Sequence, residues 1–360
     1  MMRFVLAGVC LIASAMAAHG QTASPYPATY PDIIHAAQAE KKVVVFTSAN
    51  GPNSKFIVQD FEALYPGVSV ELNNLSATEV YSRFLSTEAA SAHEADVLWS
   101  NAMDLQMKLV AGGYAMTYAS PEIGALPSWS HTRDQAYGTT IDPSVFVYNK
   151  RLLKPEFVPK THEDLVRILK DNAAALQGKY TTYDLEASGA GYNIAFFEAK
   201  KWPGYWNLIA AQGAAKSQYY QAGGTMVEQV ASGEYWMGFN LPYPYAKLRQ
   251  RTDPNVGIDY MSDYVLAISR IAIIAKDAPH PNAAKLFLDY ILSHRGQDVM
   301  ANKADFVAIR SDVSGMSTAA QIKKDIGDRL VPIPVDVSIT EGLDPLKRRQ
   351  FIAQWKKLAR

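Results

Sequence analysis

Residues 136–150, AYGTTIDPSVFVYNK, read as one extended segment, longer than a single sheet of a small domain can use. Its simplest use is to carry the chain out of one lobe and into another. What precedes it is regular. Val43-Val44-Val45-Phe46-Thr47 is an unbroken run of mostly β-branched residues, the pattern of a strand covered on both faces. Asn53 or Ser54 can cap a helix carrying Phe56, Ile57, Phe61 and Leu64, and Pro66-Gly67 stops it. A strand at 68–72, a helix at 77–90, a strand at 96–99 and a helix at 101–111 follow, the last closed by Gly112-Gly113. Strands alternating with helices predict a parallel sheet with helices on both faces.

Beyond the extended segment the alternation resumes. Thr161-His162-Glu163-Asp164 reads as a capping box, and so does Thr225-Met226-Val227-Glu228, whose helix Gly233 closes. A strand at 179–183 leads to the loop Glu186-Ala187-Ser188-Gly189-Ala190-Gly191, and a strand at 235–240 delivers NLPYPY, residues 240–245. Residues 258–260 and 270–276 read as extended and are expected to recross to the first lobe. From Pro281 a helix shows an apolar face of Ala284, Leu286, Phe287, Tyr290 and Ile291, and the tail from about 311 wraps back. The expected architecture is α/β: two lobes, each with a central, mainly parallel sheet, hinged by crossing strands near 138–142 and 260–270. Residues 21–139 with 266–360 form the first lobe and 140–265 the second.

Charge points to no polyanionic partner. Lys+Arg and Asp+Glu number 35 each among 360 residues, so no net field favours nucleic acid or an anionic membrane. The opening MMRFVLAGVCLIASAMAAHGQTAS places Arg3 before a short apolar run that ends in small residues, which predicts a cleaved signal peptide over 1–20 and a periplasmic protein. Cys10, the sole cysteine, falls inside that signal, so the mature chain is expected to have no disulfide and no thiolate chemistry. The sequence carries no Gly-x-Ser-x-Gly elbow, Walker loop, zinc-finger spacing or dinucleotide fingerprint. A non-enzyme without cofactor or metal is expected; a hydrolase or transferase using the same cleft is the rival of another class. His93-Glu94-Ala95-Asp96 reads as a polar helix end.

A cleft between lobes would be lined where parallel strands end and helices begin. The segments falling there are 48–53, 100–104, 188–192, 223–225 and 240–245, rich in Ser, Asn, Thr, Gly and Tyr.

Four stretches carry a family resemblance: KKVVVFTSANG, DVLWSNAMDLQMKLVAGGY, VFVYNKRLL and PHPNAAKLFLDYILSHRGQDVM. They resemble the periplasmic solute-binding proteins of ATP-binding cassette importers, within the group that binds ferric ion, thiamine and phosphorylated sugars. The resemblance implies a type II-like periplasmic binding fold, a monomer that closes on a small-molecule solute, and delivery to an inner-membrane permease and its ATPase. Ferric members typically use two adjacent tyrosines, a His in the first strand–helix turn and a Glu at the third. Here Tyr243 and Tyr245 are separated, the first turn is Ser48-Ala49-Asn50-Gly51, and Asn101 stands about where the carboxylate is expected. Ferric ion wants anionic oxygens, so it ranks as the alternative. An anionic organic solute comes first: a phosphorylated sugar, another organophosphate or a carboxylate. Ser48, Asn50, Ser188, Gly189, Thr225 and Asn240 are the expected donors, with Asn101 at the third turn. Tyr192, Tyr243, Tyr245 and Trp99 are the expected walls. Arg83 and Lys55 are charges that the sequence does not place.

Overall fold

The computed structural model describes residues 26–49 and 51–360. The expected signal peptide and Asn50 lie outside the described residues. Strands β1 (Lys42–Thr47), β2 (Ser69–Asn74), β3 (Val97–Ser100), β4 (His131–Thr132) and β5 (Ala136–Gly138) lie in one sheet. The next six lie in a second: β6 (Asp142–Asn149), β7 (Tyr180–Tyr183), β8 (Gln218–Tyr220), β9 (Met237–Pro242), β10 (Val256–Asp259) and β11 (Val265–Ile268). β12 (Ile271–Ile274) returns to the first sheet, and β13 (Leu330–Pro332) ends in the second. Strand order is β2-β1-β3-β12-β5-β4 in the first and β13-β11-β6-β9-β7-β8 in the second, with β10 on β6.

Both sheets are mixed. β1, β2 and β3 are parallel, as the strand–helix alternation predicts, and so are β7, β8 and β9. The crossing strands β6, β11 and β12 run antiparallel to neighbours they meet, because a strand arriving from the other lobe enters from the hinge end. Buried Val43–Phe46, Val97–Trp99 and Ile271–Ile274 make the centre of the first sheet apolar on both faces. Each such side chain contributes roughly 1.5–3 kcal/mol by leaving water.

The crossings fall at 139–141 and 269–270. Two expectations change here. Residues 256–259 do not recross; they pair with β6 as β10. The tail does not stay with the first lobe: β13 pairs with β11, and the helix Pro345–Ala359 packs on the second-lobe helix Tyr205–Ala214. The chain therefore crosses between lobes a third time. The three passes are stitched together. Thr139 N donates to Arg270 O at 2.9 Å and Ile141 N to Val307 O at 3.0 Å. Buried Asp142 accepts from Thr140 Oγ1 at 2.8 Å and from Val307 N at 3.0 Å. Burial pushes its carboxyl up to about 6, against the pull of the Arg270 charge.

No helix among the described residues is long and apolar enough to cross a membrane.

Candidate functional site

Strand ends and helix starts meet in a cavity of about 700 Å³ between the two sheets. The first lobe supplies the turns after β1, β2 and β3; the second supplies the ends of β7, β8 and β9. Each turn has a local cause. Ser76 opens the helix Ala77–Ala89 with a capping box, its Oγ accepting from Glu79 N while Glu79 Oε2 accepts from Ser76 N at 2.8 Å. Ser188 caps the helix Gly189–Lys201 by accepting from Gly191 N at 3.1 Å. Gly191 must be glycine, since a Cβ there would meet Tyr183 Cβ at 2.3 Å.

The helix Gly223–Ser232 begins differently. It starts two residues before Thr225, at an Ala222 N-cap that offers no side-chain hydrogen bond. The expected box at 225–228 is therefore not formed, and Glu228 pairs instead with Arg249 at 3.2 Å. Uncapped N–H groups and the positive end of that helix open on the cavity, bordered by Gly223, Gly224 and Thr225. Gly223 packs so closely that a Cβ would lie 2.5 Å from both Tyr183 Oη and Pro242 Cγ.

Beneath this wall lies a residue that the sequence reading did not single out. Arg270, in the second crossing, is 1% exposed. Its Nη1 donates to Ser48 Oγ at 3.1 Å and its Nη2 to Tyr245 Oη at 3.3 Å, and both acceptors line the cavity. The guanidinium lies over Trp99 and Phe306, 5.6 and 5.0 Å from the ring centroids. Its Nε has no hydrogen-bond partner, and no described carboxylate comes within ion-pair distance. The signal was a lone arginine opening an apolar strand, Arg270-Ile271-Ala272-Ile273-Ile274. A charge in that position has to be paired or used.

Of the expected residues, Ser48, Asn101, Ser188, Thr225 and Tyr245 line the cavity together. Ser48 is the hub: its Oγ donates to Asn101 Oδ1 at 2.9 Å, and its carbonyl accepts from Tyr245 Oη at 3.0 Å. The others sit elsewhere. Gly189 N donates to Thr78 Oγ1 at 2.9 Å, tying the second-lobe loop to the first lobe. Tyr192 donates to Gly342 O at 2.6 Å under the Arg348 guanidinium, away from the cavity. Tyr243 is buried against Tyr260, with its phenol raised by burial. Asn240, in a left-handed backbone conformation at φ 60°, borders a separate small cavity of about 20 Å³. Trp99 is fully buried below Arg270. Arg83 lies over Phe46 and pairs with Glu94, and Lys55 lies over Phe56. Proximity along NLPYPY misleads because Tyr243 and Tyr245 occupy different faces of the first turn of the helix Tyr243–Thr252.

Comparison with known proteins bears on this arrangement. Residues 48–298 match the model of the bacterial extracellular solute-binding protein family, which is more than half of the chain. A search of curated proteins by sequence found no match. Among solved structures, the substrate-binding protein of an ABC transporter from Agrobacterium tumefaciens is 30% identical, with a TM-score of 0.85, covering 89% of this chain and 94% of that one. AfuA from Actinobacillus pleuropneumoniae, solved with fructose-6-phosphate, is 20% identical, with a TM-score of 0.72 over 88% and 98% of the two chains. Iron-bound HitA from Pseudomonas aeruginosa is 16% identical, with a TM-score of 0.68 over 89% and 99%. The last two show a shared fold. Family model, identity and two-lobed geometry agree: the chain belongs to the bacterial extracellular solute-binding proteins, the substrate-binding components that work with the permease and ATPase of ABC transporters.

Proposed function

We propose that the protein captures a small organic anion, a phosphorylated sugar, another organophosphate or a carboxylate, by lobe closure in the periplasm and hands it to its permease. Arg270 carries this reading. A buried guanidinium without a carboxylate partner, donating through Ser48 and Tyr245 to the cavity floor, sets up a positive field where a ligand would rest. The uncapped start of the helix Gly223–Ser232 adds N–H donors of the same sign preference from the opposite lobe. Contacts from both walls coexist only when the lobes are together, so binding favours the closed form. Cross-cleft bonds such as Gln221 Nε2 to Ser76 Oγ at 2.6 Å belong to that form.

The same floor disfavours ferric ion. A trivalent cation would meet a positive charge, and the cavity carboxylates are engaged: Glu79 in its capping box and Glu228 with Arg249. Tyr243, one of the two phenols of the iron reading, does not line the cavity. Titration calorimetry of ligand-free protein with sugar phosphates, phosphonates, carboxylates and ferric citrate tests the reading. Binding of an organophosphate or carboxylate without turnover is expected. Binding restricted to neutral or cationic solutes, or a coloured tyrosinate–iron complex, overturns it.

A further inference from the structure

At the far end of the helix Ala77–Ala89 from the cleft, three chain segments bring a histidine and two carboxylates together. Glu88 lies in the last turn of that helix, His93 in the loop after it, and Asp277 in the turn following β12. One ligand atom from each lies within 4.8 Å of the others. His93 Nδ1 stands 3.2 and 3.1 Å from the two Glu88 carboxylate oxygens. Metal–ligand bonds of about 2.0–2.1 Å in a tetrahedron put neighbouring ligand atoms about 3.3 Å apart, so this pair already has the spacing of one tetrahedral edge.

Charge gives a second, independent reason. The Glu88 side chain is only 11% exposed, and its one ion-pair partner among the described residues is the His93 imidazole. Asp277 brings a second carboxylate to this half-enclosed group, and no described lysine or arginine lies within ion-pair distance of either. Around a neutral imidazole the two carboxylates leave a charge of −2, which a divalent cation balances.

We propose that Glu88, His93 and Asp277 form a binding site for a divalent transition-metal ion of the zinc type. The imidazole selects against calcium and magnesium, which favour all-oxygen shells, while the two carboxylates balance a divalent charge. Three protein ligands leave a fourth position to water. Asp277 is exposed, with a ligand atom within 4.8 Å of those of Glu88 and His93. The ion would clip the turn after β12 to the end of the helix Ala77–Ala89. Glu88 lies eleven residues along the helix from Ala77 at the cleft, roughly 16 Å, so the site is separate from solute capture.

Calorimetric titration of Zn²⁺ into chelator-treated, tag-free protein tests this, with Asp277→Asn and His93→Gln as variants. One equivalent is expected to bind the parent protein, and each variant to bind roughly tenfold more weakly or worse. Thermal unfolding with and without Zn²⁺ provides a second readout, the parent gaining a higher midpoint that both variants lose. Asp277→Asn alters an exposed side chain, so its folding is not in question. No binding at millimolar Zn²⁺, or affinities equal across parent and both variants, overturns the proposal.

Discussion

Arg270 and Arg310 are both almost completely enclosed, and they are enclosed in opposite ways. Arg310 donates to Glu122 Oε2 at 2.6 Å and to both Asp312 oxygens at 2.8 and 2.7 Å. Arg270 meets two hydroxyl groups and two aromatic faces, and its Nε has no hydrogen-bond partner. Burying an ion costs several kcal/mol, so the protein offsets that cost at one site and not at the other. The neutralised arginine holds structure together. The arginine with no carboxylate at ion-pair distance, its nearest anionic influence being the Asp142 charge beyond that range, is completed by the solute on the proposed reading.

Replacement of Arg310 should cost the most. Arg310→Met leaves buried Glu122 without its positive partner, and a loss of about 3–5 kcal/mol of unfolding free energy is expected in urea titration. Solute affinity should stay within about twofold. Arg270→Met should do the reverse: near-constant or slightly raised stability, with affinity for the anion reduced by about 2–4 kcal/mol, some 30- to 1000-fold. Normal binding by Arg270→Met would erase the distinction between the two arginines.

His162 sharpens the comparison from the neutralised side. It lies between Asp263 at 2.8 Å and Glu198 at 3.6 Å, stacked on Tyr264. Burial alone would lower its pKa, but hydrogen bonds and charge from both carboxylates outweigh it and raise it to about 9. The folded protein therefore holds a proton that the unfolded chain releases near 6.5. The stabilisation is complete below about pH 6.5 and lost as pH rises through 9, a decline of order 3 kcal/mol in total. Asp104, Asp142 and Asp289, raised by burial to about 7, 6 and 6, add their own decline at lower pH. Unfolding titrations from pH 7 to 9.5 on parent and His162→Gln separate the two, since the variant should lose the upper slope.

The smallest effects belong to the phenols. Tyr245→Phe removes the bond to Ser48 O and the acceptor of Arg270 Nη2, and about 1 kcal/mol of binding should go with it. Tyr243→Phe should change affinity by less than about twofold, because its ring faces Tyr260. Equal losses in the two variants would mean that the cavity extends to Tyr243.

Local patterns made much of the fold legible. Val43–Thr47, the Pro66-Gly67 stop and the extended stretch at 136–150 each encode their element within a few residues, and the structure follows them. The tail's strand in the second lobe was not legible, because Leu330–Pro332 is three residues long and has no period to read. Its place is fixed by parallel pairing with Val265–Ala267, some sixty residues away in sequence. At the cleft, turn chemistry at Ser48, Asn101, Ser188 and Thr225 was readable because strand ends determine where such residues go. Tyr192 and Tyr243 were not, since helix rotation decides which way a side chain points. Arg270 lay hidden as one polar letter in an apolar strand.

The hinge is three-ply. Thr140 and Ala308 bridge, Ile141 bonds Val307, and Thr139 bonds Arg270, so three chain passes lie side by side as a narrow ribbon. A pair of strands can bend and also twist. A ribbon of three bends across its thin direction but resists twisting along its width, so the proposed closure would be steered along a single arc. On that proposal the arginine at its edge would travel a fixed path and meet the opposite wall at the same register at every closure.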